Sequence, residues 1–307
     1  RCGMVYVEPS QIGWRPIKTS WMLTLPASLK EEAREKLEVL FEWLVDPCLL
    51  FVRKNCRELV PTSDINLPVS LLNTLWSLMD EFREAKVTVP PKDVPKILES
   101  CFVFSLIWSI GATCEGSGRA KFNDFLRKLL EGGVDRKASR TDYDLGPGLE
   151  ILDPGFKLAV PLPKEGAVYD YVFDKAKCQW KPWMETVKVG DIPETAAFNE
   201  IIVQTVDTVR YAYLLHLLVS HGKHVLFAGA TGTGKTVYIK DKLEQLDKAV
   251  YQNIQTAFSA QTSANQVQDI IDNKLDKRRK GIYGPPFGMK CVIFVDDLNM
   301  PALEVYG

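Results

Sequence analysis

Residues 229–236 read Gly229-Ala230-Thr231-Gly232-Thr233-Gly234-Lys235-Thr236, the spacing G-x-x-x-x-G-K-T. A phosphate-binding loop needs those residue types at those places. Glycines let the backbone curl until successive N–H groups point inward at phosphate oxygens. Lys235 supplies charge for the β- and γ-phosphates, and the Thr236 hydroxyl is placed to ligate Mg²⁺. The loop opens into a helix whose free N–H groups and positive dipole end favour an anion. Composition alone would generate the pattern in about one chain in a hundred, so its flanks decide. His224–Ala228 reads as a short buried strand and Val237–Leu243 as a helix, the strand–loop–helix context that the motif requires.

Downstream, Cys291-Val292-Ile293-Phe294-Val295 reads as a second apolar strand and ends in Asp296-Asp297. A hydrophobic strand that delivers an acid to its C-terminal end is the Walker B pattern, whose first acid, Asp296, holds Mg²⁺. The interval between Lys235 and Asp296 leaves room for a helix, a strand and a helix. Lys248–Ile254 reads as that strand, and Ser263-x-x-Gln266 is a capping box that opens a helix through about Asp276.

The first half of the chain is mostly helical. Met4–Val7 reads as a short strand. Ser28-x-x-Glu31 predicts a cap for a helix carrying Ala33, Leu37, Leu40, Phe41 and Leu44 on one face, interrupted by Pro47. Further helices are predicted over Pro68–Arg83 (Leu71, Leu72, Leu75, Leu78, Met79 and Phe82 inward), Asp93–Gly111 and Ser117–Leu130. The Trp and Phe residues on these helices read as core. The Gly- and Pro-rich stretch Asp144–Gly166 predicts a domain boundary, dividing the chain at 1–150 and 151–307. Beyond it, Val168–Phe173 and Thr186–Val189 read as strands and Phe198–Ser220 as a long helix. The fold class is therefore α/β, a P-loop domain with a parallel sheet and flanking helices, preceded by an all-α helical subdomain.

Bulk properties limit the partners. A net charge of −1 and 25% charged residues describe an ordinary globular surface rather than one seeking nucleic acid. The basic run Lys277–Lys280 reads as serving a helix C-terminus. Seven cysteines (Cys2, Cys48, Cys56, Cys101, Cys114, Cys178, Cys291) contain no C-x-x-C pair, which suggests reduced, buried thiols in a cytosolic setting. His216, His221 and His224 read as one helix histidine and two loop histidines rather than a metal site. Cys101–Cys114 is too short and interrupted for a membrane span, so neither a membrane nor nucleic acid is expected as a partner. A chain that starts at Arg1 and ends at Gly307 without a closing element suggests a piece of a longer polypeptide.

Several stretches together resemble the dynein heavy chains: Arg1–Tyr6, Gly13-Trp14-Arg15-Pro16 with Ser20-Trp21, Asp207–Tyr211, Phe258–Ala264, Gly284-Pro285-Pro286 and Val295–Pro301. The last two are similar to axonemal rather than cytoplasmic members. The resemblance implies the C-terminal part of the second AAA+ module of a six-module ring, with its helical lid, followed by the N-terminal large-domain part of the third. It implies ATP or ADP with Mg²⁺ as cofactors, held by Gly229–Thr236 and by Thr236 with Asp296. Ile201, Ile202, Val203 and Thr205 would lie against the adenine. Arg1 would be an arginine finger aimed at a neighbouring module, the alternative being an ordinary solvent-facing arginine. Arg119 would be a nucleotide-sensing arginine in the helical lid.

The implied partners are neighbouring AAA+ modules of the same polypeptide and, through other regions, the microtubule and dynein intermediate and light chains. The implied place is the cytoplasm, cytoskeleton and ciliary or flagellar axoneme, and the implied activity a minus-end-directed, ATP-hydrolysing microtubule motor driving ciliary and flagellar beating. Asp297 departs from many AAA+ ATPases, which carry Glu there as the water-orienting base. Its carboxylate sits about 1.5 Å nearer the backbone, and a misplacement of that order can cost roughly 100-fold in rate. A slow, regulatory third-module site is the expectation. A stand-alone P-loop kinase or NTPase, and a nucleotide-free scaffold module, are the other readings.

Overall fold

The computed structural model describes residues 3–83, 89–134, 143, 145, 149–187 and 203–303. These form two units. One holds the described residues up to Arg210 together with Ser220–Ala228; the other holds Tyr211–Val219 with the described residues from Gly229 onward.

The first unit is built on helices: α1 (Pro9–Ile12), α2 (Arg15–Leu23), α3 (Glu31–Asn55), α4 (Asn66–Ser77), α5 (Asp80–Arg83), α6 (Val94–Ser109) and α7 (Gly116–Leu130). The apolar faces read from the sequence are the ones that meet. Leu37, Leu40, Phe41 and Leu44 of α3 are fully buried, as are Leu71 and Leu75 of α4 and Phe122, Phe125 and Leu126 of α7. α6 is the central helix, with every residue from Ile97 to Ser109 buried. Together with the turn after it, Val94–Thr113 is long and apolar enough to cross a membrane on length and composition. That span begins seven residues before Cys101–Cys114, the stretch expected to be too short. Here the helix is the core of its unit, with Phe102 against Phe41 of α3.

Several sequence expectations fail in this unit. Met4–Val7 forms no strand and is exposed, because no described segment supplies a ladder. Ser28 does not cap α3: its hydroxyl donates to the Phe82 carbonyl (2.6 Å), and the cap position falls to Lys30 without a side-chain bond. Pro47 does not interrupt α3, which runs through it for 25 residues. A proline inside a helix costs about 3 kcal/mol, and the buried residues on both sides of Pro47 offset it by packing one continuous face. The helix predicted over Pro68–Arg83 is split into α4 and α5, with its inward residues buried as expected.

Ion pairs clamp α2 to α3. Trp14 Nε1 donates to Asp46 (2.7 Å), Arg15 reaches Glu42 and Asp46 (2.8 and 2.7 Å), and Lys18 reaches Glu42 (2.9 Å) and Glu38. Partial burial would push the Glu42 carboxyl up, but hydrogen bonds from Arg15 and Lys18 and their charges outweigh it and hold Glu42 below its ordinary value of 4.5. A folded-state value below the unfolded one stabilises above the unfolded value and is lost as pH falls through the folded one. Glu42→Gln is therefore expected to destabilise at neutral pH and to converge on the parent as pH falls below that range. Urea unfolding at stepped pH checks it.

Residues 149–187 pack onto the same helices. Buried Glu99 of α6 accepts from Lys36 (2.9 Å) and from the Ala159 N–H (2.6 Å), and Arg127 donates to the Pro163 and Gly166 carbonyls (2.6 and 3.1 Å). The strand predicted over Val168–Phe173 is a 3₁₀ turn (Val168–Asp170) followed by β1 (Tyr171–Asp174). β1 pairs antiparallel with β2 (Gln179–Pro182). Val187 of the predicted Thr186–Val189 strand joins no ladder, and Lys188 and Val189 lie outside the described residues.

The second unit holds most of α8 (Val206–Ser220), α9 (Lys235–Glu244), β3 (Tyr251–Ala257), α10 (Ala264–Asp272), the hairpin β4 (Asp276–Arg279) and β5 (Ile282–Gly284), and β6 (Lys290–Asp296). β3 and β6 pair in parallel from Tyr251↔Lys290 to Ala257↔Asp296. The Ser263 capping box forms as read: Ser263 Oγ accepts from Gln266 N (3.3 Å), and Gln266 Oε1 accepts from Ser263 N (2.9 Å). α8 starts at Val206 rather than Phe198, with Thr205 and Thr208 exchanging cap bonds at its entry; residues 198–202 lie outside the described set. Lys277–Arg279 is not at a helix end. α10 stops at Asp272, and the basic run forms an exposed strand of the hairpin, turned back by Gly281 (φ 75°).

Candidate phosphate-binding site

The loop expected to hold phosphate sits in the second unit between Gly229 and the start of α9. Gly232 (φ 80°) and Gly234 (φ 78°) are both left-handed, a conformation that other residues adopt at a steric cost. Gly234 is also the N-cap of α9 and carries no side-chain cap bond. The first-turn N–H groups of this helix therefore have no capping side chain as a partner, the condition under which a helix N-terminus can take an anion.

Lys235 folds back over the loop. Its Nζ donates to the carbonyls of Gly229 (3.0 Å) and Ala230 (2.6 Å) and lies 3.3 Å from Thr233 Oγ1. The ammonium is thereby held over the cradle, within reach of an anion entering it. Thr236, one residue into α9, donates its hydroxyl to Asp296 Oδ2 at 2.8 Å. The second oxygen of Asp296, Oδ1, accepts the Asp297 N–H (3.1 Å). The predicted Walker A threonine and Walker B aspartate, sixty positions apart, are thus in direct contact at the C-terminal end of β6. A hydroxyl and a carboxylate side by side are hard oxygen donors that suit Mg²⁺, which keeps waters and phosphate oxygens for its other positions.

Asp297 takes a left-handed backbone (φ 52°), and its carbonyl accepts the Met300 N–H (3.0 Å). Among non-glycine residues Asp and Asn enter this region most readily. The position is thus a turn residue as well as a candidate base, a role that the sequence reading did not contain.

The apolar run before the loop differs from expectation. His224–Ala228 is extended but joins no ladder among the described residues, and Leu226 is exposed. A parallel strand gains its stability from neighbours on its edges and faces, and β3 and β6 pair with each other. Of the residues expected on the adenine side, Val203 is exposed and Thr205 is engaged in the α8 cap; Ile201 and Ile202, like Arg1, lie outside the described residues. Tyr211 of α8 stacks on Tyr238 of α9 (centroids 6.2 Å apart), so the helix that carries Lys235 and Thr236 is braced by an aromatic pair.

In the first unit, Arg119 donates to the Ala112 carbonyl (3.0 Å), and its guanidinium lies over Tyr169. It lines an open cleft of about 450 Å³ with Asn123, Asp124, Asp170 and Arg210. Arg210 packs over Trp108 and pairs with Asp207 of its own helix.

Comparisons with known proteins agree with this architecture. A family model described as the dynein heavy chain AAA lid domain matches residues 37–185, and one described as the P-loop containing dynein motor region matches residues 191–307. The whole chain is 43% identical to dynein axonemal heavy chain 12 of Rattus norvegicus, covering 10% of that protein. It is 41% identical to dynein axonemal heavy chain 3 of Mus musculus and 39% identical to dynein axonemal heavy chain 1 of Homo sapiens, covering 8% and 7% of them. The chain thus spans a tenth or less of the length of these relatives. Helical lid, P-loop region and full-length similarity point the same way, and the chain belongs to the dynein heavy chain family, among its axonemal members.

Proposed function

We propose that this chain is the ATP-binding, regulatory portion of an axonemal dynein motor. In this reading residues 1–150 are the C-terminal part of the second AAA+ module, and residues 151–307 begin the third. Gly229–Thr236 hold the phosphates of ATP or ADP, and Thr236 and Asp296 hold Mg²⁺. The observation that carries the reading is the Thr236–Asp296 contact of 2.8 Å beside the glycine loop, which a Gly-rich turn without a phosphate role would not need. When bound, Mg²⁺ would neutralise phosphate charge. The chain's own residues orient: Lys235 over the loop, Asp296 held by Thr236 and the Asp297 N–H, and Asp297 fixed by its turn. Ile201, Ile202, Val203 and Thr205 on the adenine side and Arg1 as a finger for the preceding module belong to the same reading.

Asp297 makes the site a control rather than a power source. Its short carboxylate reaches less far than a glutamate, and its left-handed backbone favours the shorter acid. In the whole protein, force would come from ATP hydrolysis at another module, acting on a microtubule in the ciliary or flagellar axoneme. Neighbouring modules, and intermediate and light chains bound elsewhere, would complete the machine. Single-turnover hydrolysis in the intact motor with the other sites blocked tests the regulatory role. Asp297→Glu is expected to speed turnover and Asp297→Asn to slow it; wild-type turnover as fast as that of Asp297→Glu would overturn the slow-site reading.

A further inference from the structure

Away from the phosphate loop, two cysteines of the helical unit converge on one glycine. Cys56 follows α3 in an extended conformation (φ −120°, ψ 153°), and Cys114 follows the 3₁₀ turn Gly111–Thr113 just before α7. An antiparallel bridge pairs Glu58 with Cys114. Bonds from Leu59 N to Thr113 O (3.1 Å) and from Glu115 N to Arg57 O (3.0 Å) hold the two segments together. Both side chains then close over Gly118 in the first turn of α7. A Cβ added there would lie 3.0 Å from Cys114 Cβ, 3.2 Å from Cys56 Cβ and 3.5 Å from Cys56 Sγ. Contacts of 3.0 and 3.2 Å are tighter than a Cβ normally makes, so a side chain there would push both cysteines by a few tenths of an ångström, and Gly118 leaves them room to approach.

The thiols share a hydrogen bond but not an environment. The bond from Cys114 and the charge of Lys121 outweigh partial burial and hold the Cys56 thiol below its ordinary value. Cys114 is buried and pushed far above its ordinary value, first by that same bond and then by burial. Cys56 also lies 3.5 Å from the Gly118 carbonyl, to which its thiol donates. The pair therefore contains one half-buried thiol held below its ordinary value and one enclosed sulfur behind it. Cys48 and Cys101 make the contrast: both are buried in the core, and burial pushes the Cys101 thiol up to about 12.

We propose that Cys56 and Cys114 form a reversible dithiol–disulfide switch that staples the end of α3 to the entry of α7. The co-reactant is a low-molecular-weight disulfide of the glutathione class. Cys56 thiolate attacks one of its sulfurs, forming a mixed disulfide and releasing one thiolate. That thiolate takes the Cys114 proton, and Cys114 sulfur attacks Cys56 Sγ, expelling the second thiolate, which takes the proton lost by Cys56. Two protein thiols are oxidised, one disulfide is reduced to two thiols, and the reverse exchange reopens the pair. In a reducing compartment a disulfide is typically transient and regulatory, which suits a bond whose first sulfur is accessible.

Peptide mapping of the intact chain, equilibrated in glutathione buffers and then acid-quenched and alkylated, tests this. Oxidising ratios are expected to yield a linked peptide pair carrying Cys56 and Cys114, lighter by two hydrogens and reversed by dithiothreitol. Cys114→Ala is expected to stop at glutathione on Cys56. Gly118→Ala keeps both sulfurs and adds a better helix former; it is expected to fold, checked by far-UV circular dichroism, and to form less of the linked pair at the same glutathione ratio. Wild-type chain that stays unlinked at oxidising ratios, or takes glutathione at Cys178 or Cys291 ahead of Cys56, would overturn the proposal. The wild-type map decides even if a variant misfolds.

Discussion

Lys235→Ala is expected to abolish most of the stabilisation that Mg·ATP gives the wild-type chain. At a hundred times its dissociation constant, a ligand that binds only the folded state adds about 2.7 kcal/mol. Removing one partner of a close charge pair costs about 2–5 kcal/mol, some 30-fold to a few thousand-fold in affinity. At the same nucleotide concentration the variant would then show little thermal shift. Without nucleotide the variant should unfold within about 0.5 kcal/mol of wild type, because the bonds from Lys235 to Gly229, Ala230 and Thr233 are exposed. That separation distinguishes a binding role from a structural one. Equal Mg·ATP affinity in Lys235→Ala and wild type would remove the phosphate reading of the loop.

Phe102→Ala is expected to be the most damaging single truncation in the helical unit, at about 3–5 kcal/mol. Phe102 is fully buried in α6, and its ring meets Phe41 of α3 edge-on with centroids 4.8 Å apart. Removing it opens a cavity at the centre of the α3–α6 contact and forfeits the aromatic pair. Phe287, which is 93% exposed, is the control: Phe287→Ala should change stability by no more than about 0.5 kcal/mol. Because the chain has two units, the loss should be read from the urea transition followed by tryptophan signals, since Trp14, Trp43, Trp108 and Trp183 are buried in the first unit. A Phe102→Ala transition as stable as that of wild type would show that α3 and α6 are not a shared core.

Much of this architecture is legible from local chemistry. The Ser263–Gln266 box formed because both of its bonds lie within one turn of chain. The inward faces of α3 and α4 were legible because an apolar stripe at helical spacing has one stable use in water. Lys235 and Thr236 were placed by loop spacing, and Asp296 by the strand that delivers it. The failures concern contacts made far along the chain. Ser28 found Phe82 instead of its own helix. Lys277–Arg279 paired with β5 because Gly281 allowed a turn, whereas its charge pattern alone suits a helix end equally well. His224–Ala228 has a strand's composition but gains no ladder from composition.

By itself, the sequence determined that a glycine loop opens into a helix with a lysine and a hydroxyl at its start, that an acid closes an apolar strand, and that the first half packs as helices. These rest on interactions within a few residues, or on burial, which needs no named partner. Only the tertiary structure decided that α3 runs through Pro47, that Thr236 touches Asp296, that Asp297 is a left-handed turn residue, and that Cys56 and Cys114 meet over Gly118. Each of those depends on which distant segment arrives and how closely, a matter of packing that no local propensity encodes.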